Sequence, residues 1–91
     1  MMEYLVAAAI KFRMLDDSYD TVMTDTRHAN ILEKMYMLHI QYDKSSAIQG
    51  FWTSNSRFVD RYEAKWIAVA ANQLIVPEEE THAELFSEDV W

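Results

Sequence analysis

Apolar residues fall on alternate positions from Glu3 to Leu15, with Val6, Ala8, Ile10, Phe12 and Met14 on one side of the run. That is the period of a strand, although Ala7, Ala8 and Ala9 also suit a helix. The following residues decide between the two. Asp16-Asp17-Ser18 is turn chemistry and Tyr19-Asp20-Thr21-Val22-Met23-Thr24 alternates around β-branched residues, so residues 4–24 predict an antiparallel hairpin. The period then changes: Ile31, Leu32, Met35, Leu38 and Tyr42 recur at helical steps, predicting an amphipathic helix over residues 26–44 with Asp25 or Thr26 as N-cap. Lys44 to Ala47 reads as a loop. Gly50-Phe51-Trp52-Thr53, the turn Ser54-Asn55-Ser56 and Arg57-Phe58-Val59 predict a second hairpin over residues 49–59. Asp60 stands as an N-cap with Glu63 as its capping-box partner, opening a helix over residues 60–74 that turns Ala64, Ile67, Ala68, Ala71 and Leu74 inward.

Pro77 stops that helix or a strand leaving it, and Glu78-Glu79-Glu80 reads as a solvated loop. Leu85, Phe86, Val90 and Trp91 are too apolar for a free tail, so the acidic segment 77–91 is expected to dock, on this chain or on a neighbouring subunit. The whole predicts one domain, residues 1–91, of the α+β class: a small antiparallel sheet made of two hairpins and packed with two helices.

Composition narrows the function. Half of the chain, 51%, is hydrophobic, more than a 91-residue monomer readily hides, which points to a homodimer at least. The net charge of −7 argues against duplex nucleic acid as a partner. Residues 78–91 carry Glu78, Glu79, Glu80, Glu84, Glu88 and Asp89 and no Lys or Arg, so the rest of the chain is close to neutral and leaves room for a basic pocket. The absence of cysteine excludes disulfides and thiolate zinc sites. The longest apolar run, Leu5 to Ile10, is far too short to span a membrane, and a cytoplasmic protein is expected. His28, His39 and His82 are isolated, no serine sits in a nucleophile elbow, and a single glycine cannot build a phosphate loop. The expectation is a binding protein with no catalytic residues, metal or cofactor.

Binding chemistry collects at the junction of the second hairpin and helix. A helix N-terminus offers unpaired N–H groups, Arg57 and Arg61 flank it with forked donors suited to phosphate, and Phe51, Trp52 and Phe58 supply flat faces. The alternative keeps these aromatics in the core and pairs the arginines with surface carboxylates, and composition favours it. Arg27-His28, in the first turn of the earlier helix, is unfavourable against the helix dipole unless an anion sits nearby. A simple surface pair beside Asp25 explains it as well.

The string Gln49-Gly50-Phe51, a short turn, Arg57-Phe58-Val59-Asp60-Arg61-x-Glu63-Ala64 and a helix closing on Asn72-Gln73 resembles the type-one Thoeris anti-defence proteins of phages. Arg27-His28 and the ending Glu84-Leu85-Phe86-Ser87-Glu88-Asp89-Val90-Trp91 belong to the same resemblance. It implies a sponge that binds a cyclic ADP-ribose isomer without cleaving it, as a homodimer or a hexamer of dimers in the infected host cell. Related proteins also hold cyclic oligonucleotides at a separate arginine-lined site. Carried over, the ligand-binding residues are Arg27, His28, Phe51, Arg57, Phe58, Asp60, Arg61 and Asn72. Chemistry assigns arginine to phosphate, aromatic to adenine, and Asp60 or Asn72 to ribose hydroxyls or the base edge. The chain departs from the pattern at Ser56 and Asn72, where glycine is usual. A rival class is an acidic inhibitor that mimics nucleic acid to block a nuclease or CRISPR effector, and a structural phage protein is a third.

Overall fold

The computed structural model describes residues 2–16 and 19–91, so Asp17-Ser18 of the first expected turn lies outside the described residues. The regular elements are β1 (Leu5–Met14), β2 (Asp20–Asp25), α1 (His28–Met37), β3 (Tyr42–Thr53), β4 (Phe58–Asp60) and α2 (Arg61–Ala70). Short 3-10 turns follow at Glu78–Glu80 and Ser87–Asp89. All strand pairings are antiparallel in the order β2-β1-β3-β4, the small α+β sheet that the hydrophobic pattern predicts.

The register divides the sheet into two faces. Ala8 is opposite Phe51, which is opposite Val59, and these three share a face with Ile10 and Phe12. All five are buried, and they form one cluster with Ile31 and Met35 of α1, Ala64 and Ala68 of α2, and Leu85. Both helices therefore cover the same side of the sheet. On the other side Ala9 is opposite Gly50, and the Phe58 ring lies across Gly50. A Cβ on Gly50 would stand 2.1 Å from the Val59 carbonyl oxygen and 2.7 Å from the Phe58 ring. Close approach, rather than a special φ, requires the glycine.

Three boundaries differ from the sequence expectation: α2 ends at Ala70 rather than at residue 74, because Asn72 takes a left-handed conformation, and the other two concern α1 and β3. The first helix ends at Met37, not Tyr42 or Lys44, because His39 takes a left-handed conformation at φ 52°. His39 N–H donates to the Tyr36 carbonyl at 3.1 Å and Ile40 N–H to the Met35 carbonyl at 3.0 Å, the paired bonds of a Schellman ending. His39 is thus the terminator of the helix. The expected loop at Lys44–Ala47 is strand instead: β3 starts at Tyr42. Its polar residues fill an irregularity between the pairs Lys11–Ile48 and Arg13–Asp43, where Ser46 Oγ accepts the Arg13 N–H at 2.8 Å and Asp43 accepts the Ser45 N–H at 3.0 Å.

Ser56 and Asn72, the two residues that break the resemblance, both fall on left-handed backbone. Ser56, at φ 59°, closes a three-residue hairpin loop, and Asn72, at φ 57°, ends α2 with its own Schellman pair. Gln73, next to it, acts as a strand surrogate: its side-chain amide accepts from Leu5 N–H at 2.7 Å and donates to Leu5 O at 2.9 Å.

Gly50→Ala is expected to lower stability by at least about 2 kcal/mol, because backbone at Val59 must move to admit the methyl group. A urea denaturation midpoint equal to that of wild type would contradict the close packing described. Ser56→Gly is expected to raise stability by about 1 kcal/mol by relieving left-handed strain, read as a higher melting temperature.

Candidate functional site

Both helices start against β3, and they start differently. α1 is headed by Arg27, which provides no side-chain cap, and no acid stands in the first turn. The expected caps serve elsewhere: the Asp25 carboxylate contacts Lys34 Nζ at 2.6 Å and accepts the Thr26 N–H at 2.6 Å, which lowers its pKa. α2 is capped as predicted, with Asp60 Oδ1 accepting the Glu63 N–H at 2.8 Å.

His28 is buried at the head of α1, and its Nε2 donates to the Gly50 carbonyl at 2.7 Å. A carbonyl only accepts, so the proton must be on Nε2. Burial is the largest influence on the ring and lowers its pKa; the Gly50 carbonyl opposes it, Arg61 reinforces it and Glu88 opposes it. The neutral ring anchors the helix head to β3 without placing a second cation beside Arg61.

Arg61, the first residue of α2, reaches toward the same strand. It donates through Nη2 to Gln49 Oε1, lies 3.3 Å from Glu84 Oε2 through Nη1, and stacks 5.0 Å from the centroid of Phe86. Its Nε is nevertheless buried without a hydrogen bond, and so is Nη1 of Arg27. Each such group costs roughly 1–3 kcal/mol when it is left unmade. A hollow of about 340 Å³ opens beside Arg61, between Ile48, Gln49, Asp60, Tyr62 and Glu84.

Of the residues named from the sequence, Arg27 and His28 lie at one helix head and Asp60 and Arg61 at the other. The rest are placed otherwise. Phe51 is 0% exposed, edge-on to His28 at 5.2 Å and to Trp91 at 6.1 Å, so its ring belongs to the core and offers no stacking face in the folded chain. Phe58 lies across Gly50 with the Lys11 ammonium 5.4 Å from its centroid. Arg57 is committed to carboxylates, bonding Glu3 with two nitrogens at 2.8 Å each and Glu63 at 2.8 Å. Asn72 stands past the far end of α2, roughly 15 Å of helix from Arg61.

Gln49, Tyr62, Glu84 and Phe86 join the site without having been singled out. Glu84, grouped by composition with the solvated acids, accepts from both Arg61 and the Tyr62 hydroxyl, the latter at 2.8 Å. The usable signal was the apolar spacing of the last residues, which docks that segment on its own chain. Leu85 N–H donates to the Arg61 carbonyl at 3.1 Å, and the Trp91 indole donates to the Thr26 carbonyl. The segment therefore runs from the head of α2 to the head of α1.

Arginines at two helix heads suit more than one kind of ligand, so the comparison with known families carries the assignment. The model of the family described as phage T4 y16D protein matches residues 4–91, and the chain belongs to that family of phage proteins. Comparisons with curated proteins and with solved structures find no match. Among the described residues no helix is long and apolar enough to cross a membrane.

The Glu3–Arg57 pair generates a pH prediction. Arg57 and Thr53 hold the Glu3 carboxyl at about 2, below its ordinary 4.5. A depressed carboxyl stabilises the fold above 4.5, and that contribution disappears as the pH falls toward 2. Glu3→Gln is therefore expected to melt below wild type at pH 7, with the gap closing on acidification. A gap that is constant with pH would show that the pair contributes no linked stability.

Proposed function

We propose that this phage protein binds and sequesters a cyclic ADP-ribose isomer without cleaving it, acting in the cytoplasm of the infected bacterium to blunt Thoeris immunity. The observation that carries the reading is the pair of guanidinium groups, Arg27 and Arg61, that stand at helix heads with buried N–H atoms lacking acceptors. A diphosphate supplies acceptor oxygens and about two negative charges, and charge-assisted bonds to arginine are the natural completion of both groups. The head of α1, with no acid and no side-chain cap, is the more in need of an anion. The resemblance of Gln49-Gly50-Phe51, Arg57 to Ala64 and the C-terminal block to the Thoeris anti-defence proteins supplies the ligand class.

The structure refines the choice of residues within that reading. Arg61 holds Glu84 by a single 3.3 Å contact that a phosphate can displace, whereas Arg57 is bound by two carboxylates and acts in the fold. Tyr62, on the wall of the hollow, and Phe86, beneath the Arg61 guanidinium, replace Phe51 as the aromatic surfaces nearest the site.

Calorimetry with a cyclic ADP-ribose isomer is expected to show binding that Arg27→Ala and Arg61→Ala each weaken by roughly ten- to a hundredfold, from about 1.5–3 kcal/mol per charge-assisted bond. Arg57→Ala is expected to lower the melting temperature with much less effect on affinity. Heat denaturation of the complex should return the ligand intact. Recovery of a linear product would make the protein an enzyme, and absence of binding would favour the acidic inhibitor class.

A further inference from the structure

We infer that Glu84 sets the selectivity of the hollow beside Arg61, admitting anions that carry two or more charges and turning away singly charged ones. This rests on the anion site proposed above and names the residue that regulates it. Charge on the wall of the hollow comes from three side chains, the Arg61 guanidinium and the Asp60 and Glu84 carboxylates. The carboxylates outnumber the cation, so an incoming anion meets a negative excess. Asp60 is committed to the fold, because it caps α2 through the Glu63 N–H at 2.8 Å. Glu84 is the carboxylate that can give way.

Glu84 already stands where a ligand's oxygens belong. Its Oε2 lies 3.3 Å from Arg61 Nη1 and its Oε1 accepts the Tyr62 hydroxyl at 2.8 Å, so one carboxylate bridges a guanidinium and a phenol in the manner of a phosphate. Glu84 is also the chief reason that Tyr62 holds its proton more tightly than usual, which keeps the phenol a donor. The grip on Arg61 is weaker. At 3.3 Å the contact is long for a charge-assisted bond, and the Glu84 side chain is 42% exposed against 21% for Arg61. Release needs only rotation of that side chain, since the backbone beside it is pinned: Leu85 is fully buried with its N–H on the Arg61 carbonyl at 3.1 Å, and the Phe86 N–H donates to Asp89 at 3.0 Å.

A tethered carboxylate of this kind acts as a threshold. A free carboxylate or other singly charged anion offers Arg61 nothing that Glu84 does not, and it competes from solution against a group held in place. A phosphate ligand with two or more charges exceeds Glu84 in charge and in acceptor oxygens. Discrimination then comes from a repulsive element set against the wrong ligand as much as from attraction to the right one.

Titrations of wild type and Glu84→Gln with pyrophosphate and with dimethyl phosphate, which carries a single charge, followed by phosphorus NMR, test the inference; a cyclic ADP-ribose isomer is titrated by calorimetry alongside. Glu84→Gln keeps the shape and an acceptor for Tyr62 but removes the charge. It is expected to tighten pyrophosphate and the cyclic ADP-ribose isomer by about three- to tenfold, the scale of a part-exposed ion pair, and to tighten dimethyl phosphate more, so that the preference for the multiply charged anion narrows. Glu84→Ala is expected to repeat the gain, and Arg61→Ala in the Glu84→Gln background to abolish it, with melting temperatures of the Glu84 variants near that of wild type. Pyrophosphate binding that is equal or weaker in both Glu84 variants, or an unchanged preference over dimethyl phosphate, overturns the inference and leaves the proposed function standing. Wild type that ignores the cyclic ADP-ribose isomer, beside Glu84 variants that gain pyrophosphate, removes the proposed function and upholds the inference.

Discussion

The absence of a side chain at position 50 is the constraint on which the rest of this structure depends. Gly50 is the chain's single glycine, and three elements converge on it. β4 passes so close that its backbone oxygen occupies the space of a Cβ, the Phe58 ring closes over one face of the sheet, and His28 hangs the head of α1 on the Gly50 carbonyl. Neighbouring Gln49 then receives Arg61 from the head of α2. One residue without a side chain thus lets β4 and Phe58 close on β3, while its carbonyl and its neighbour Gln49 tether the helix heads that carry Arg27 and Arg61.

Those cations divide by the company they keep. Arg57 sits between two carboxylates that neutralise it, and its pKa is pushed up accordingly, with Glu3 the chief cause. Arg61 holds an amide, a single carboxylate contact and an aromatic face, and still has a buried N–H to offer. In an acidic protein this difference matters more than the number of arginines. A fully paired guanidinium is structural, while a partly paired one retains attraction for an incoming anion. His28 contributes by remaining neutral, since burial disfavours its cation.

Much of the architecture was legible because it is local. Alternation in β1 and β2, the aromatic and β-branched composition of the second hairpin and the Asp60 cap each announce an element without reference to distant residues. What was hidden depended on tertiary partners. The end of α1 is made by a histidine in a left-handed conformation, with no glycine or proline to mark it. Tyr42 continues the helical spacing only by coincidence with the start of β3. Lys44 to Ala47 has loop composition, yet its serines and Asp43 satisfy the ladder of β1 where the register slips. At the site, the sequence placed cations at both helix heads but could not tell a fully paired arginine from a partly paired one. That distinction was settled by Glu3, which lies 54 residues from Arg57. Composition already favoured the core for Phe51, where it lies, and only the resemblance made it a stacking platform, because aromatic character is the same in a strand that faces solvent and in one that faces a core.

The order of the strands also bears on how the molecule is assembled. β1 pairs with β2, its neighbour in sequence, in a contact of the kind that forms in roughly 1–10 μs, whereas its other edge waits for β3 across the whole of β2 and α1. Until that second edge is filled, an apolar strand containing Leu5, Ile10 and Phe12 presents unsatisfied N–H and C=O groups to any neighbour. Slower arrival of β3 would leave that edge open to pairing between nascent chains for longer, and in the finished fold Gln73 satisfies the Leu5 N–H and C=O through its amide.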